Sequence, residues 1–279
     1  MRKTWRLWFE PEPERGSWNM AADEYLFSCL SDAPVTFLRI YAWVRPTVSL
    51  GRSQQAERVV DEDFCRRKGV DIVRRATGGK MVLHDREVTY CLSSSDRDLF
   101  GDTVRGSYRL ISAALAAGLA KLGLRAALAG APPEEYARGA LPCFSHPGRD
   151  ELQVAGKKIL GSAQKRRGGM FLQHGSLPLA HDEGLLRSAA RLPDSEAEIR
   201  MTSLGELLGR PVSWGEAAGR LREGFAEFFG VDLEEQRFSP EERGAVRRLQ
   251  KEKYEDAGWT WSGRLSRPGR EECGRPGPS

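Results

Sequence analysis

The order of strand-like and helix-like segments constrains the fold of this chain more than any other feature. Hairpin-like strand pairs are predicted at 35–51, 70–93 and 152–179, and helices lie between them without a regular strand–helix–strand alternation. Parallel strands need a crossover after each strand, so these short connections favour antiparallel pairing. The sequence therefore predicts an α+β fold, in which helices flank a central mixed, largely antiparallel sheet, rather than a doubly wound fold.

The clearest helix signals lie in the middle and in the C-terminal third of the chain. The longest predicted helix begins after Asp102 or Thr103 and ends near Gly123, because apolar residues recur at three- and four-residue steps between them. Three Ser-x-x-Glu capping boxes mark further helix starts, at Ser203, Ser213 and Ser239.

Two helices are predicted in the N-terminal third. One runs through NMAADEYLFSCL, with Ser17 or Asn19 as its N-cap. Helical spacing places Cys29 on its apolar face, which favours a small core residue over a reactive thiol. The other is a charged amphipathic helix over 57–68.

Composition and charge exclude several functional classes. A chain of 279 residues with 40% hydrophobic content suits one large globular domain or two small ones. Neither a run of about eighteen apolar residues nor the apolar region of a signal peptide occurs, so we expect no membrane span and a cytoplasmic protein. The net charge is +4, with local clusters of bases that favour an acidic partner or simply form a solvated surface. Nucleic-acid binding is not expected, because no recognition motif is present.

The cysteines and histidines do not have the spacings of a metal site or a disulfide framework. Five widely spaced cysteines include no CxxC, and four histidines include no HExxH. We therefore expect neither a bound metal nor structural disulfides. These residues are Cys29, Cys65, Cys91, Cys143, Cys273, His84, His146, His174 and His181.

The stretch 141–176 carries the candidate chemistry. It places Cys143 in a loop rich in proline and glycine, then a tight turn at Ala155-Gly156, then Lys158 at the start of a strand. Chain geometry allows the loop to fold back over the amine. A thiol beside an amine is a workable acyl-transfer site, since the thiolate attacks and the ammonium returns the proton to the leaving group.

Two neighbours offer alternatives within the same stretch. Lys157 is a natural comparison for Lys158, because strand alternation points the two side chains to opposite faces of a sheet. His146 lies three residues after Cys143 and could pair with it as a Cys–His site, which we rank below the Cys143–Lys158 pair.

Five separated stretches resemble one family. They are NMAADEYL, RPTVSLGRSQ, RRATGGKMVLHDREVTYCL, GKKILGSAQKRRGGMFLQHGSL and KYEDAGWTW. In this order they resemble the lipoate–protein ligase and octanoyltransferase superfamily, of which biotin protein ligases are more distant members. The resemblance covers roughly residues 17–262 and implies a biotin/lipoyl protein ligase-like fold with a long acyl pocket. We expect a single catalytic domain over 1–262, followed by a C-terminal tail over 263–279 whose glycine, proline and arginine content favours disorder.

The resemblance also implies the activity. Cys143 stands ahead of the GKK element, as in the ligase-like octanoyltransferases, which take octanoyl from acyl carrier protein onto a cysteine and pass it to a lysine. The implied acceptors are lipoyl domains of 2-oxoacid dehydrogenases or glycine cleavage H protein, and neither ATP nor another cofactor is implied. The alternatives are an ATP-dependent lipoate–protein ligase and an amidotransferase between lipoyl domains; a non-enzymatic acyl sensor ranks last. Strictness for eight carbons and the oligomeric state stay open.

The same resemblance assigns the site residues. Cys143 and Lys158 are implied as catalytic, and Cys91 stands where serine is commoner in relatives. The glycine turn ATGGK lets the backbone approach a ligand, and small residues near GSAQ make room for an acyl tail. For His84 and His174, satisfied polar residues are expected rather than catalytic ones. The implied substrate-binding residues are Arg74, Arg75, Thr77, Gly78, Gly79, His84, Gly161, Ser162 and Gln164.

Overall fold

The computed structural model of the protein describes residues 2–130, 151–191 and 199–266. Its larger sheet contains β1 (Thr4–Glu14), β2 (Thr36–Trp43), β6 (Glu87–Ser94), β7 (Ala127–Leu128), β8 (Leu152–Val154), β9 (Lys157–Arg167), β10 (Met170–Pro178) and β11 (Asp232–Gln236). The strand order is β11-β1-β2-β6-β10-β9-β8-β7. β1 pairs in parallel with β2 and β11, and the remaining pairs are antiparallel. The predicted mixed, largely antiparallel sheet is confirmed.

A second, smaller sheet packs against the first and corrects two predicted hairpins. It consists of β3 (Thr47–Leu50) between β4 (Asp71–Arg74) and β5 (Val82–His84). The hairpins predicted at 35–51 and 70–93 are wrong, because β2 pairs with β1 and β6, whereas β4 and β5 each pair with β3. The strands were recognised by local patterns, but their partners are chosen by packing between distant segments.

The third predicted hairpin is confirmed. β8 and β9 pair across the turn at Ala155-Gly156, and β9 pairs with β10. Ala155 and Gly156 both have positive φ, at 50° and 77°. Two residues with positive φ give the turn a twist that matches a two-residue hairpin.

The helices cover both faces of the larger sheet. They are α1 (Gly16–Ser28), α2 (Ala56–Val59), α3 (Glu62–Lys68), α4 (Arg97–Phe100), α5 (Val104–Ala120), α6 (Glu183–Ala189), α7 (Leu204–Leu208), α8 (Trp214–Phe229), α9 (Pro240–Leu249), a π-helical segment (Gln250–Tyr254) and α10 (Ala257–Ser262). α5 and α8 pack on one face around Leu115, Leu221 and Phe225. Each such buried side chain contributes about 1.5–3 kcal/mol. α1, α9 and the π-helical segment pack on the other face.

The predicted helix caps are largely confirmed. Thr103 caps α5 by accepting a hydrogen bond from the backbone N–H of Gly106. Ser203, Ser213 and Ser239 each cap a helix in the same way. Of these three, the reciprocal bond of a capping box forms at Ser239, whose N–H donates to Glu242 Oε2 over 2.7 Å.

Three N-terminal predictions need correction. The N-cap of α1 is Arg15 without a side-chain bond, so Ser17 and Asn19 lie inside the helix. Cys29 is exposed rather than buried. It is the C-cap of α1, which ends at Ser28, so helical spacing no longer determines where its side chain points. The helix predicted over 57–68 is broken into α2 and α3 at Asp61, whose side chain caps α3.

The remaining predictions concern a membrane span, a metal site and the bounds of the domain. None of the helices in the described ranges has the length and apolar character that a bilayer span requires. Nor do the described residues contain a group of three or more His, Cys, Asp or Glu side chains arranged to hold a metal ion. The single domain over 1–262 and the tail over 263–279 stay predictions, and residues 267–279 lie outside the described ranges.

Candidate active site

A narrow cleft lies between the two sheets. Its floor crosses four strands of the larger sheet, where Tyr41 pairs with Thr89, Thr89 with Ser176, and Ser176 with Gly161. The roof comes from the smaller sheet and its glycine turn, and Met20 of α1 closes one side. The atom-free space between these walls is about 400 Å³, a volume that includes open solvent.

The glycine turn reaches the cleft because a second glycine lies beneath it. A Cβ built on Gly51 would lie 1.8 Å from the carbonyl oxygen of Gly79. Gly79 itself has a φ of +90°, in the region that side chains rarely adopt. Gly51 therefore lets the ATGGK turn lie directly on the end of β3.

Arg75 fixes the turn in this position. Its Nη1 donates to the carbonyl oxygen and to the hydroxyl of Ser49, each over 2.7 Å. Its Nη2 donates to the carbonyl oxygens of Gly78 at 3.0 Å and Lys80 at 2.9 Å. The guanidinium thus joins β3 to both ends of the glycine pair.

His84 lines the roof with both ring nitrogens bonded. Nδ1 lies 2.8 Å from Glu87 Oε1 and Nε2 lies 2.6 Å from Ser49 Oγ, while the ring stacks on Trp43 at 4.0 Å. Glu87 and Ser49 thus hold the ring in one orientation. His84 is a buried polar residue whose ring nitrogens both have partners, as the sequence analysis expects.

His174 connects the floor, the roof and α1. Nδ1 lies 3.0 Å from Asp23 Oδ2, and Nε2 lies 2.7 Å from Thr77 Oγ1. Asp23 also accepts from Arg39 and from the hydroxyl of Tyr41, each over 2.9 Å. The three elements are therefore held by one buried hydrogen-bond network.

Burial sets the charges in this network. Burial lowers the pKa of His174 below 6.5, although Asp23 opposes the shift. Burial alone would raise the pKa of Asp23, but hydrogen bonds from His174 and Arg39 outweigh it, so the pKa is lowered from 3.8. At neutral pH, Asp23 is a carboxylate and His174 is a neutral imidazole.

These shifts predict that acid destabilises the fold. Below about pH 6.5 the unfolded chain binds a proton at His174 that the folded chain binds only at lower pH, so the free energy of unfolding falls by up to about 1.4 kcal/mol per pH unit. Asp23 adds a further loss below pH 3.8. The free energy of unfolding can be measured with urea between about pH 8 and pH 5. It should fall less steeply with decreasing pH for His174→Gln than for the wild type. An equal slope would contradict the assignment.

Lys158 lies at the β9 end of the floor, three residues before Gly161. Its backbone bonds to Arg200 and Thr202, and its side chain is fully buried with Nζ 2.6 Å from Glu151 Oε2. The side chain of Lys157 is half exposed, as strand alternation predicts, and pairs with Glu206. Lys158 is thus a charged group held at a fixed place on β9, although it is not among the residues that line the cleft.

The predicted site residues separate into three groups. Arg75, Gly79, His84, Gly161 and Ser162 line the cleft, and Thr77 reaches it through His174. Cys143 and His146 lie outside the described residues, so the distance from Cys143 to Lys158 stays a prediction. Arg74, Gly78 and Gln164 are not among the lining residues.

Arg74 and Gln164 form hydrogen bonds away from the cleft. The buried guanidinium of Arg74 donates to carbonyl oxygens of the loop after β3 and of α10, including those of Gly51 and Trp261, so it holds α10 against the smaller sheet. Gln164 donates to Ser107 and Gln173 on the opposite face of β9.

Several cleft residues were not predicted from the sequence. Met20, Tyr41 and Ser176 line it, Asp23 and Glu87 anchor its histidines, and Glu151 pairs with Lys158. Helical spacing could have placed Met20 and Asp23 on inward positions of α1. Nothing local distinguishes Tyr41 or Glu87 from other strand residues.

Comparison with known proteins identifies the family. The sequence model of the lipoyl protein ligase A/B catalytic domain matches residues 15–226. The chain belongs to this family. Octanoyltransferase LipM of Kyrpidia tusciae is 40% identical over 263 residues, covering 88% of this chain and 95% of that protein, and its counterpart from Symbiobacterium thermophilum is 38% identical, covering 93% and 98%.

The lipoyl protein ligase family also accounts for the fold. A lipoate–protein ligase A bound with ATP superposes with a TM-score of 0.78 at 25% identity, covering 93% of this chain and 98% of that one. The biotin/lipoyl protein ligase-like fold is thereby confirmed. The region that matches the family, 15–226, contains the whole cleft together with Cys143 and Lys158.

Proposed function

We propose that the protein is an octanoyl-[acyl carrier protein]:protein N-octanoyltransferase that works through an acyl thioester on Cys143. The chain is an acyltransferase of lipoate biosynthesis, as its curated octanoyltransferase relatives, 33–40% identical over most of its length, indicate. The observation that supports the finer proposal is the buried Lys158 ammonium, held by Glu151 on the strand that also contributes Gly161 and Ser162 to the cleft.

In the first step the Cys143 thiolate attacks the carbonyl carbon of the octanoyl thioester. The new C–S bond forms as the bond to the phosphopantetheine sulfur breaks, and Lys158 gives its proton to the departing thiolate. The Lys158 ammonium also stabilises the negative charge that develops on the carbonyl oxygen. Glu151 keeps the ammonium in place between these events.

In the second step the acceptor lysine attacks as a neutral amine. The C–N bond forms, the bond to Cys143 Sγ breaks, and the proton lost by the amine passes through Lys158 to the thiolate. Thioester exchange conserves the type of bond, and amide formation makes the second step favourable. The proposed reaction therefore needs neither ATP nor a metal ion.

The proposed partners follow from this chemistry. Acyl carrier protein is the donor, and lipoyl domains of 2-oxoacid dehydrogenases or glycine cleavage H protein are the acceptors. The proposal places the enzyme in the cytoplasm with them, without nucleic-acid or membrane partners.

An ATP-dependent lipoate–protein ligase is the second candidate. It is favoured by the structural similarity to the ATP-bound ligase at a TM-score of 0.78. It would keep its activity when Cys143 is replaced by serine. An amidotransferase between lipoyl domains would need the same cysteine but a protein-bound octanoyl donor.

Intact-mass spectrometry with octanoyl-acyl carrier protein tests the proposal. Without ATP, the wild-type chain is expected to gain one octanoyl group, and digestion should place it on the peptide that contains Cys143. Cys143→Ser should gain none, because a serine hydroxyl is hardly ionised at neutral pH. Cys29→Ser is the matched control, since Cys29 is an exposed thiol outside the cleft.

Each other outcome identifies a different enzyme. An adduct that persists in Cys143→Ser contradicts the nucleophile. Product formation only with free octanoate and Mg·ATP supports the ligase instead. Transfer only from an octanoylated lipoyl domain supports the amidotransferase.

A further inference from the structure

The C-terminal segment 240–262 lies outside the region that the family model matches, which ends at residue 226. The segment contains α9, the π-helical segment and α10. None of the residues that line the cleft belongs to it. Its last two elements nevertheless contact both the roof of the cleft and α1, which closes one side.

On the roof side, Trp259 of α10 and Arg74 of β4 hold each other. The indole Nε1 of Trp259 donates to the carbonyl oxygen of Arg74 over 3.0 Å. The guanidinium of Arg74 donates in return to the carbonyl oxygens of Trp259 at 3.0 Å, Thr260 at 2.9 Å and Trp261 at 3.0 Å. The backbone immediately before Arg75, which fixes the glycine turn, is therefore held by α10.

The loop beneath the glycine turn is held by the same helix. Arg74 Nη1 donates to the carbonyl oxygens of Gly51 and Arg52, at 2.8 and 3.2 Å. The backbone N–H of Arg52 donates to the carbonyl oxygen of Thr77 in the turn over 2.8 Å. The Arg52 guanidinium lies 4.6 Å from the centre of the Trp259 ring, a cation–π contact. Trp259 thus supports both chain segments that meet at the roof.

On the other side, Lys253 and Tyr254 bind Glu24 of α1. Lys253 Nζ lies 2.8 and 2.6 Å from the two carboxylate oxygens, and the Tyr254 hydroxyl donates over 2.7 Å. Burial alone would raise the pKa of Glu24, but hydrogen bonds from Lys253 and Tyr254 outweigh it and lower the pKa from 4.5. Met20, which lines the cleft, lies four residues before Glu24 and so on the same face of α1.

Trp259 connects these two sets of contacts. Lys253 Nζ lies 4.1 Å from the centre of its ring, and the Tyr254 ring packs edge-on against it at 6.2 Å. Tyr254 and Trp259 are both buried. A continuous path of packed and hydrogen-bonded groups therefore joins Glu24 on α1 to Arg74 beneath the roof. Such paths can transmit a displacement from one element to another.

We propose that Lys253, Tyr254 and Trp259 form a C-terminal brace that fixes the glycine-turn roof relative to α1, with Trp259 as its central positioning residue. The brace acts through Arg74 and Glu24 and does not touch the acyl chain. This inference rests on the proposed octanoyl transfer, since the cleft that the brace holds is the one that would bind the octanoyl group.

Trp259→Phe tests the brace by removing the indole N–H while keeping an aromatic ring. The backbone N–H groups of Arg52 and Arg75, bonded to Thr77 and Leu50, report on the roof. Their hydrogen exchange is expected to become about two- to tenfold faster, the effect of one lost hydrogen bond. ATP-free octanoyl transfer, measured well below the melting temperature, is expected to fall by about tenfold, because a small displacement of a positioning element lowers the rate.

Two control variants separate positioning from stability. Trp261→Phe makes the same change on the same helix, and it keeps the backbone carbonyl that accepts from Arg74. Val246→Ala weakens the core in which Trp259 packs, because Val246 is a fully buried residue of α9. Val246→Ala should lower the melting temperature, and both controls should leave roof exchange and transfer at wild-type values. Wild-type transfer or exchange in Trp259→Phe, or an equal loss of transfer in Val246→Ala, would overturn the proposal.

The brace and the proposed function fail in different ways. Calorimetric titration with octanoate measures the cleft without any transfer reaction, and Trp259→Phe should weaken this binding. If ATP-free transfer is absent in the wild type, but Trp259→Phe alone speeds roof exchange and weakens octanoate binding, the proposed function fails and the brace stands. If transfer proceeds through Cys143, but Trp259→Phe keeps the wild-type rate, exchange and affinity, the brace fails and the function stands.

Discussion

Replacing Lys158 by methionine is expected to lower the rate of octanoyl transfer by about 10²–10⁴, the usual contribution of a positioned proton donor. Methionine keeps the length of the side chain but cannot donate a proton or stabilise a developing oxyanion. Lys157→Met is the matched control on the adjacent residue, whose half-exposed ion pair with Glu206 contributes at most about 1 kcal/mol to stability. The two rates, measured in the ATP-free assay, separate the role of Lys158 from the effect of losing one charge.

Stability must be distinguished from chemistry in this experiment. Lys158→Met leaves the Glu151 carboxylate without its ion-pair partner at a nearly buried site, at a cost of about 3–5 kcal/mol. Lys158→Arg keeps the charge beside Glu151 but cannot release a proton, because guanidinium groups stay protonated. We expect Lys158→Arg to recover much of the melting temperature but little of the activity. Recovery of activity by arginine would show that charge alone is required and would contradict the proton-transfer role.

Local patterns predicted which segments form strands and helices better than they predicted how strands pair. The turn at Ala155-Gly156 was predictable because its two residues determine a hairpin by themselves. The hairpin predicted at 35–51 failed because the chain leaves the larger sheet after β2, and β3 pairs with β4 and β5 in the smaller sheet. Which sheet a short apolar strand joins depends on packing against residues far along the chain, and no local signal carries that information.

The candidate site shows the same limit. The alternation of Lys157 and Lys158 follows from strand geometry, and the structure places one at the surface and the other in the interior. The polar partners of the cleft are different, because Asp23 reaches His174 across 151 positions of sequence. Arg74 belongs to the same motif as Arg75, but its side chain points away from the cleft. It bonds to backbone carbonyl oxygens, so its role is structural.

Gly51→Ala is expected to abolish octanoyl transfer almost completely, by a mechanism independent of the reacting groups. The added Cβ would lie 1.8 Å from the carbonyl oxygen of Gly79 and 2.9 Å from its carbon, which are backbone atoms that cannot rotate away. The ATGGK turn must therefore move, and it carries Arg75 and the roof of the cleft with it. A displacement of about 1 Å in a positioning element can lower a rate by about 10², and this clash requires more.

Two glycine substitutions calibrate this result. Gly78→Ala places the same methyl group in the same turn, where nothing lies within 4 Å of the new Cβ, so we expect a loss below about tenfold. Gly219→Ala on α8 also meets no atom within 4 Å and should stabilise the helix by about 0.5–1 kcal/mol. Rates in the ATP-free assay and melting temperatures of all three variants test the argument. If Gly51→Ala kept the wild-type rate, the ATGGK turn could not be the roof under which the acyl chain binds.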